Sequence, residues 1–71
     1  DYENSINDIN QTLILEPRHF GAMNGLALIL FNLEKYSEAI TIYQEILKIL
    51  PYSIETQNKI IRIKEIFLEK A

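Results

Sequence analysis

Residues 32–51 read NLEKYSEAITIYQEILKILP, and this stretch predicts most of the architecture. It opens with a short polar connection, continues with a helix that has one apolar face, and stops at Pro51, whose ring and missing N–H end a helix. The face is predicted to point inward and contains Tyr36, Ala39, Ile40, Tyr43, Leu47 and Leu50.

Parts of this pattern also stand 34 residues earlier in the chain. The matching pairs are Tyr2 and Tyr36, Ser5 and Ala39, Ile6 and Ile40, Leu13 and Leu47, and Pro17 and Pro51. Helix-packing residues and helix-ending prolines that recur at this interval are typical of stacked helix pairs rather than of one closed core.

Composition narrows the class of protein. A chain of 71 residues forms at most one small domain, and without cysteine it has neither disulfides nor thiolate metal ligands. The net charge of −3 argues against a nucleic-acid partner, and the longest apolar run, 26–31, is too short to span a bilayer. Because the chain begins with Asp1, we expect any targeting segment to lie upstream. The compartment is left open between cytoplasm and bacterial periplasm.

The apolar spacing predicts four helices and no strands, at about 2–16, 19–33, 36–50 and 53–69. Ser37 and Ser53 are the predicted N-caps of the third and fourth helices, and Asp1 and Lys70 suit the helix dipole at the two ends of the chain. The remaining inward stripes are predicted as follows: Tyr2, Ile6, Ile9 and Leu13; Phe20, Met23, Leu26 or Ala27, Leu30 and Leu33; Ile60, Ile63 and Phe67. Charged residues of the fourth helix are expected mostly on its opposite side: Lys59, Arg62, Lys64 and Glu65.

The second helix is apolar almost all round, since Leu28, Ile29 and Phe31 fill the faces beside its stripe. Gly21 and Gly25 stack on one of these faces. They indicate either the close approach of a neighbouring helix or a shallow notch for a bound segment.

Eight residues together resemble the signature of the tetratricopeptide repeat: Met23, Leu26, Ala27, Leu30, Tyr36, Ala39, Tyr43 and Pro51. The resemblance covers 18–51 as one complete repeat. It makes 2–16 the second helix of a preceding repeat and 52–71 a following or capping helix. The implied fold for 1–71 is a single all-α domain, a fragment of a right-handed solenoid of antiparallel helices. Ile46 departs from the family pattern, which has a small residue there.

In this family the first helix of each pair lines a concave groove that holds peptides or helices. By position, the resemblance implies groove residues Gly21, Asn24, Gly25, Leu28, Phe31, Asn32, Asn58, Arg62 and Ile66. Asn24, Asn58 and Arg62 only partly match the residues with which some members grip a carboxylate, and Leu28 favours an apolar ligand instead.

The predicted function is therefore a non-catalytic scaffold for a protein or peptide partner. The alternative is self-association, because so few repeats leave helical faces uncovered at the ends of the array. Glu16 and His19 have the spacing of a helical metal pair, but Pro17 lies between them at a predicted helix break. We therefore expect no catalytic, metal or cofactor site.

Overall fold

A computed structural model describes residues 2–70, except the side chain of Lys70. The dipole roles predicted for Asp1 and Lys70 lie outside the described residues. Four helices form: α1 (Tyr2–Leu15), α2 (Phe20–Asn32), α3 (Tyr36–Ile49) and α4 (Ile54–Lys70). Residues 2–70 contain no strand, so the predicted all-α helical-repeat fold is confirmed, with helix ends within about two residues of those expected.

The two proline-containing connections have the same hydrogen bonds. The His19 amide donates to the Glu16 carbonyl at 2.9 Å, and 34 residues later the Ser53 amide donates to the Leu50 carbonyl at 3.2 Å. Beyond each connection the cap side chain accepts an amide of the next helix: Ala22 N–H to His19 Nδ1 at 3.0 Å, and Thr56 N–H to Ser53 Oγ at 3.3 Å. The sequence period is therefore also a period of backbone geometry, and the predicted Ser53 cap is confirmed.

The connection between α2 and α3 has a different pattern of backbone hydrogen bonds. The Lys35 amide donates to the Leu30 carbonyl at 2.8 Å, and the Glu34 amide donates to the Phe31 carbonyl at 3.0 Å. Glu34 is left-handed, with φ of 61°. These features make a Schellman cap, which satisfies carbonyls at the end of α2 and turns the chain sharply into α3.

Successive helices pack in chain order, α1 on α2, α2 on α3 and α3 on α4. Because the connections are only three or four residues long, the neighbours are antiparallel. The result is a slab of 37 × 30 × 14 Å rather than a closed bundle.

The core lies mainly between α2, α3 and α4. Its buried members are Met23, Leu26, Ala27, Leu30, Ala39, Tyr43, Ile46, Ile60 and Ile63. Ala39 is fully buried, as predicted. By contrast, α1 contains no buried residue, and Ile6, Ile9 and Leu13 are only partly covered against the core.

Several local predictions are wrong. Ser37 is not a cap, because α3 begins at Tyr36 and the Ser37 carbonyl accepts the Thr41 hydroxyl inside the helix. Ile46, which the predicted inward face of α3 omits, is fully buried. Five members of the predicted inward stripes remain substantially exposed: Tyr2, Phe20, Leu33, Leu50 and Phe67. They lie near helix ends, where the neighbouring helices cover them only in part.

Candidate protein-binding surface

The groove residues predicted from the family resemblance differ in exposure. Those on α2 range from half-buried to exposed: Gly21, Asn24, Gly25, Leu28, Phe31 and Asn32. On α4, Asn58 and Arg62 are exposed, whereas Ile66 is 8% exposed. Ile66 therefore supports this face from beneath and offers little surface of its own.

Leu28 is a large apolar residue that α2 leaves exposed away from the helix ends. It is 40% exposed although it stands near the middle of a helix packed on both α1 and α3. No charged residue occurs between Phe20 and Asn32, so the α2 side of the surface is uncharged. An exposed leucine on such a helix is suited to an apolar side chain of a partner.

The two glycines have different surroundings. A Cβ on Gly25 would lie 3.6 Å from Ile9 Cδ1, so Gly25 faces α1 at ordinary contact distance. A Cβ on Gly21 would lie 3.3 Å from Cε1 of the capping His19. These neighbours favour the packing interpretation of Gly25 over a notch that is open to a ligand.

Lys59 joins α4 to α2 across the surface. Its Nζ lies 5.4 Å from the centroid of the Phe31 ring, within the range of a cation–π interaction. Lys59 is half-buried, so the expectation that it points away from the packed side is wrong. The helical pattern alone does not show this contact, because it depends on how α4 is rotated against α2.

Aromatic rings continue the contact towards the α2–α3 connection. The Phe31 and Tyr36 rings are packed edge to face with their centroids 5.4 Å apart. The Tyr36 and Phe67 rings have the same arrangement, with centroids 6.2 Å apart. A surface cavity of about 250 Å³ lies beside Tyr36 and Phe67 and is also lined by Glu34, Lys35, Ser37 and Glu38. Tyr36 thus links the two helices that form the candidate surface.

Arg62 lies one turn beyond Lys59 on α4. Its Nη1 is 3.9 Å from Glu65 Oε2 and 3.8 Å from Glu69 Oε1. Both separations exceed hydrogen-bond length, so these carboxylates offset the charge of Arg62 without taking up its directed donors. The guanidinium retains donors that another acceptor could use.

The structure gives His19 a capping role. Its Nδ1 accepts the Ala22 amide, and both His19 and Glu16 stand in the connection between α1 and α2 rather than on a shared helical face. Within the described residues, no cluster of His, Cys, Asp or Glu could hold a metal ion. Over the same residues, no helix combines the length and apolar character needed to cross a membrane.

An exposed apolar stripe runs along the far side of α4. Ile54, Ile61 and Leu68 are 68%, 53% and 75% exposed and recur at seven-residue intervals. The buried residues Ile63 and Ile66 lie about 160° and 140° around the same helix from Ile61. This exposed stripe is not among the predicted features, although its seven-residue spacing is visible in the sequence.

Antiparallel helices that repeat their caps every 34 residues define the class of α-helical repeat proteins. A curated protein of Rhizobium etli named as TPR repeat-containing is 34% identical to this chain over 65 residues. The match covers 92% of this chain and 32% of that protein, so the chain spans about a third of its relative's length. No family model matches the chain, and no solved structure matches it. By its signature residues, fold and relative, the chain is similar to proteins of the tetratricopeptide-repeat family.

Proposed function

We propose that the chain is a non-catalytic scaffold whose α2–α4 surface binds a peptide or helix of a partner protein. The observation that carries this proposal is the exposure of Leu28 on an uncharged helix, with half-buried Phe31 one turn further on. An apolar side chain placed on Leu28 would remove surface that the helix neighbours leave in water. In this proposal 18–51 is one repeat, flanked by the second helix of a preceding repeat and by a following or capping helix.

Binding is tested by selecting random peptides displayed on phage against the folded chain. The selected peptides are then titrated into isotopically labelled protein and followed by NMR. We expect amide shifts along α2 and the facing side of α4, and we expect Leu28→Lys to abolish them. Ile14→Lys is the matched control, because Ile14 is also an exposed aliphatic residue but lies on α1. Failure to recover any peptide that depends on Leu28 would overturn the proposal.

Self-association is a second candidate, favoured by the stripe formed by Ile54, Ile61 and Leu68. These residues span about 21 Å of helix at 1.5 Å per residue. A second copy covering the stripe would bury three large aliphatic side chains that are exposed in one chain. Sedimentation velocity over a concentration series tests this: the mean mass should rise with concentration, and Ile61→Glu should suppress the rise. A single monomeric species at every concentration would exclude it.

A further inference from the structure

We propose that the partner segment is acidic as well as apolar, with a side-chain carboxylate beside the residue that contacts Leu28. This inference rests on the proposed function and specifies the chemistry of the partner. It is carried by the distribution of charge across the surface. The α2 side has no charge, and the middle of the facing side of α4 has two cations, Lys59 and Arg62.

Lys59 is positioned to meet such a carboxylate. Its ammonium lies over the Phe31 ring, and none of the ion pairs found among the described residues uses it. A cation over an aromatic face still has hydrogen-bond donors for an anion that approaches from above. The same ring therefore holds the cation in place and borders the apolar contact.

Arg62 lies three residues after Lys59, so both project from the same side of α4. Its two carboxylate neighbours belong to the C-terminal half of the helix, Glu65 and Glu69. At the other end, Glu55 is in the first turn of α4. Acidic groups thus bracket this side of α4 while its centre is cationic, which places the partner's carboxylate between Lys59 and Arg62.

Synthetic helical peptides test the charge preference directly. They share one pattern of leucines and differ only in having Glu, Gln or Lys beside the central leucine. Acetylated and amidated ends exclude any contribution from the chain termini. We expect the Glu peptide to bind roughly tenfold more tightly than the Gln peptide, the Lys peptide to bind most weakly, and these differences to shrink as salt is added.

Charge reversal on the protein assigns the effect to a residue. Lys59→Glu should remove the preference for the Glu peptide, and Lys59→Gln should reduce it. Lys64→Glu is the matched control, because it makes the same change about 140° around the helix from Lys59. Circular dichroism establishes that each variant is folded.

The outcomes separate this inference from the proposed function. Equal binding of the Glu, Gln and Lys peptides, all lost in Leu28→Lys, would overturn the acidic partner and leave the apolar surface intact. Binding that is insensitive to Leu28→Lys would overturn the proposed function itself. If Lys64→Glu reverses the preference as strongly as Lys59→Glu, the effect is one of net charge and the carboxylate is not bound between Lys59 and Arg62.

Discussion

His19 and Ser53, 34 residues apart, accept equivalent hydrogen bonds at the starts of α2 and α4. The bonds run from Ala22 N–H to His19 Nδ1 and from Thr56 N–H to Ser53 Oγ. One cap is an imidazole and the other a hydroxyl, yet the backbone bonds of the preceding connections match. The two connections therefore share the same hydrogen-bond geometry, although their cap residues are of different types.

Removing either cap should lower stability. We expect His19→Ala and Ser53→Ala each to reduce the free energy of unfolding by about 1 kcal/mol, because an amide at the helix start loses its acceptor. His19→Asn should retain most of the stability, since the asparagine side-chain oxygen can accept the same bond. Ser37→Ala is the control and should change little, because Ser37 lies within α3. Urea unfolding measures all four variants, and a loss in Ser37→Ala equal to that in Ser53→Ala would contradict the assignment.

The glycines of α2 should respond differently to alanine. At Gly25 the new methyl would make ordinary contact with Ile9, so Gly25→Ala should stabilise the chain by up to about 1 kcal/mol through helix propensity. At Gly21 it would press on the capping His19 ring, so the gain should be smaller or absent. Thermal unfolding compares the pair. A larger gain at Gly21 would mean that the cap does not constrain that position.

Glu34 holds a left-handed conformation that glycine adopts more readily. Glu34→Gly should raise the free energy of unfolding by about 0.5–1 kcal/mol, the relief of strain minus the greater entropy lost by glycine. Glu34→Ala removes the same carboxylate but keeps a Cβ, so it should not give this gain. Equal stabilisation by both variants would trace the effect to charge rather than to backbone conformation.

Ala39 has no space for a larger side chain, because it is fully buried. Ala39→Leu should overpack the interior and lower the free energy of unfolding by about 1–3 kcal/mol. Gln44→Leu adds an aliphatic side chain to an exposed position of the same helix and serves as the control. Chemical denaturation should show the loss only in the first variant; a neutral Ala39→Leu would place this residue outside the core.

Tyr43 should make the fold sensitive to alkali. Burial raises the pKa of its phenol above the ordinary value of 10.0, and the negative charge of Glu55 raises it further. Below pH 10 the Tyr43 phenol is protonated in both the folded and the unfolded chain, so its full contribution to the free energy of unfolding is present. As pH rises beyond 10, the unfolded chain releases the proton first, so the free energy of unfolding falls.

The alkaline effect can be assigned by substitution. Tyr43→Phe should make the decline in stability above pH 10 shallower, whereas Tyr52→Phe, at an exposed ring, should leave it unchanged. Unfolding by urea at a series of pH values measures the slope. An unaltered slope in Tyr43→Phe would show that other groups control the alkaline transition.

Some of the surface could be predicted from the sequence. Exposed Leu28 was identified because the family register puts it beside the inward stripe and helical spacing is regular. The sequence does not indicate the contact of Lys59 with Phe31, and it predicts Ile66 as a groove residue, because both assignments depend on the rotation of α4. That rotation follows from how its neighbours pack, and no local pattern records it.

The sequence by itself determined the number of helices, their ends and the 34-residue period. Proline stops and 3.6-residue periodicity act over a few residues, so each can be read without knowing the rest of the chain. Only the tertiary structure decided which side of α4 is buried, that Ile46 fills the core, and that Lys59 lies over Phe31. These depend on contacts between helices distant in sequence, where side-chain volume fixes the orientation of one helix against the next.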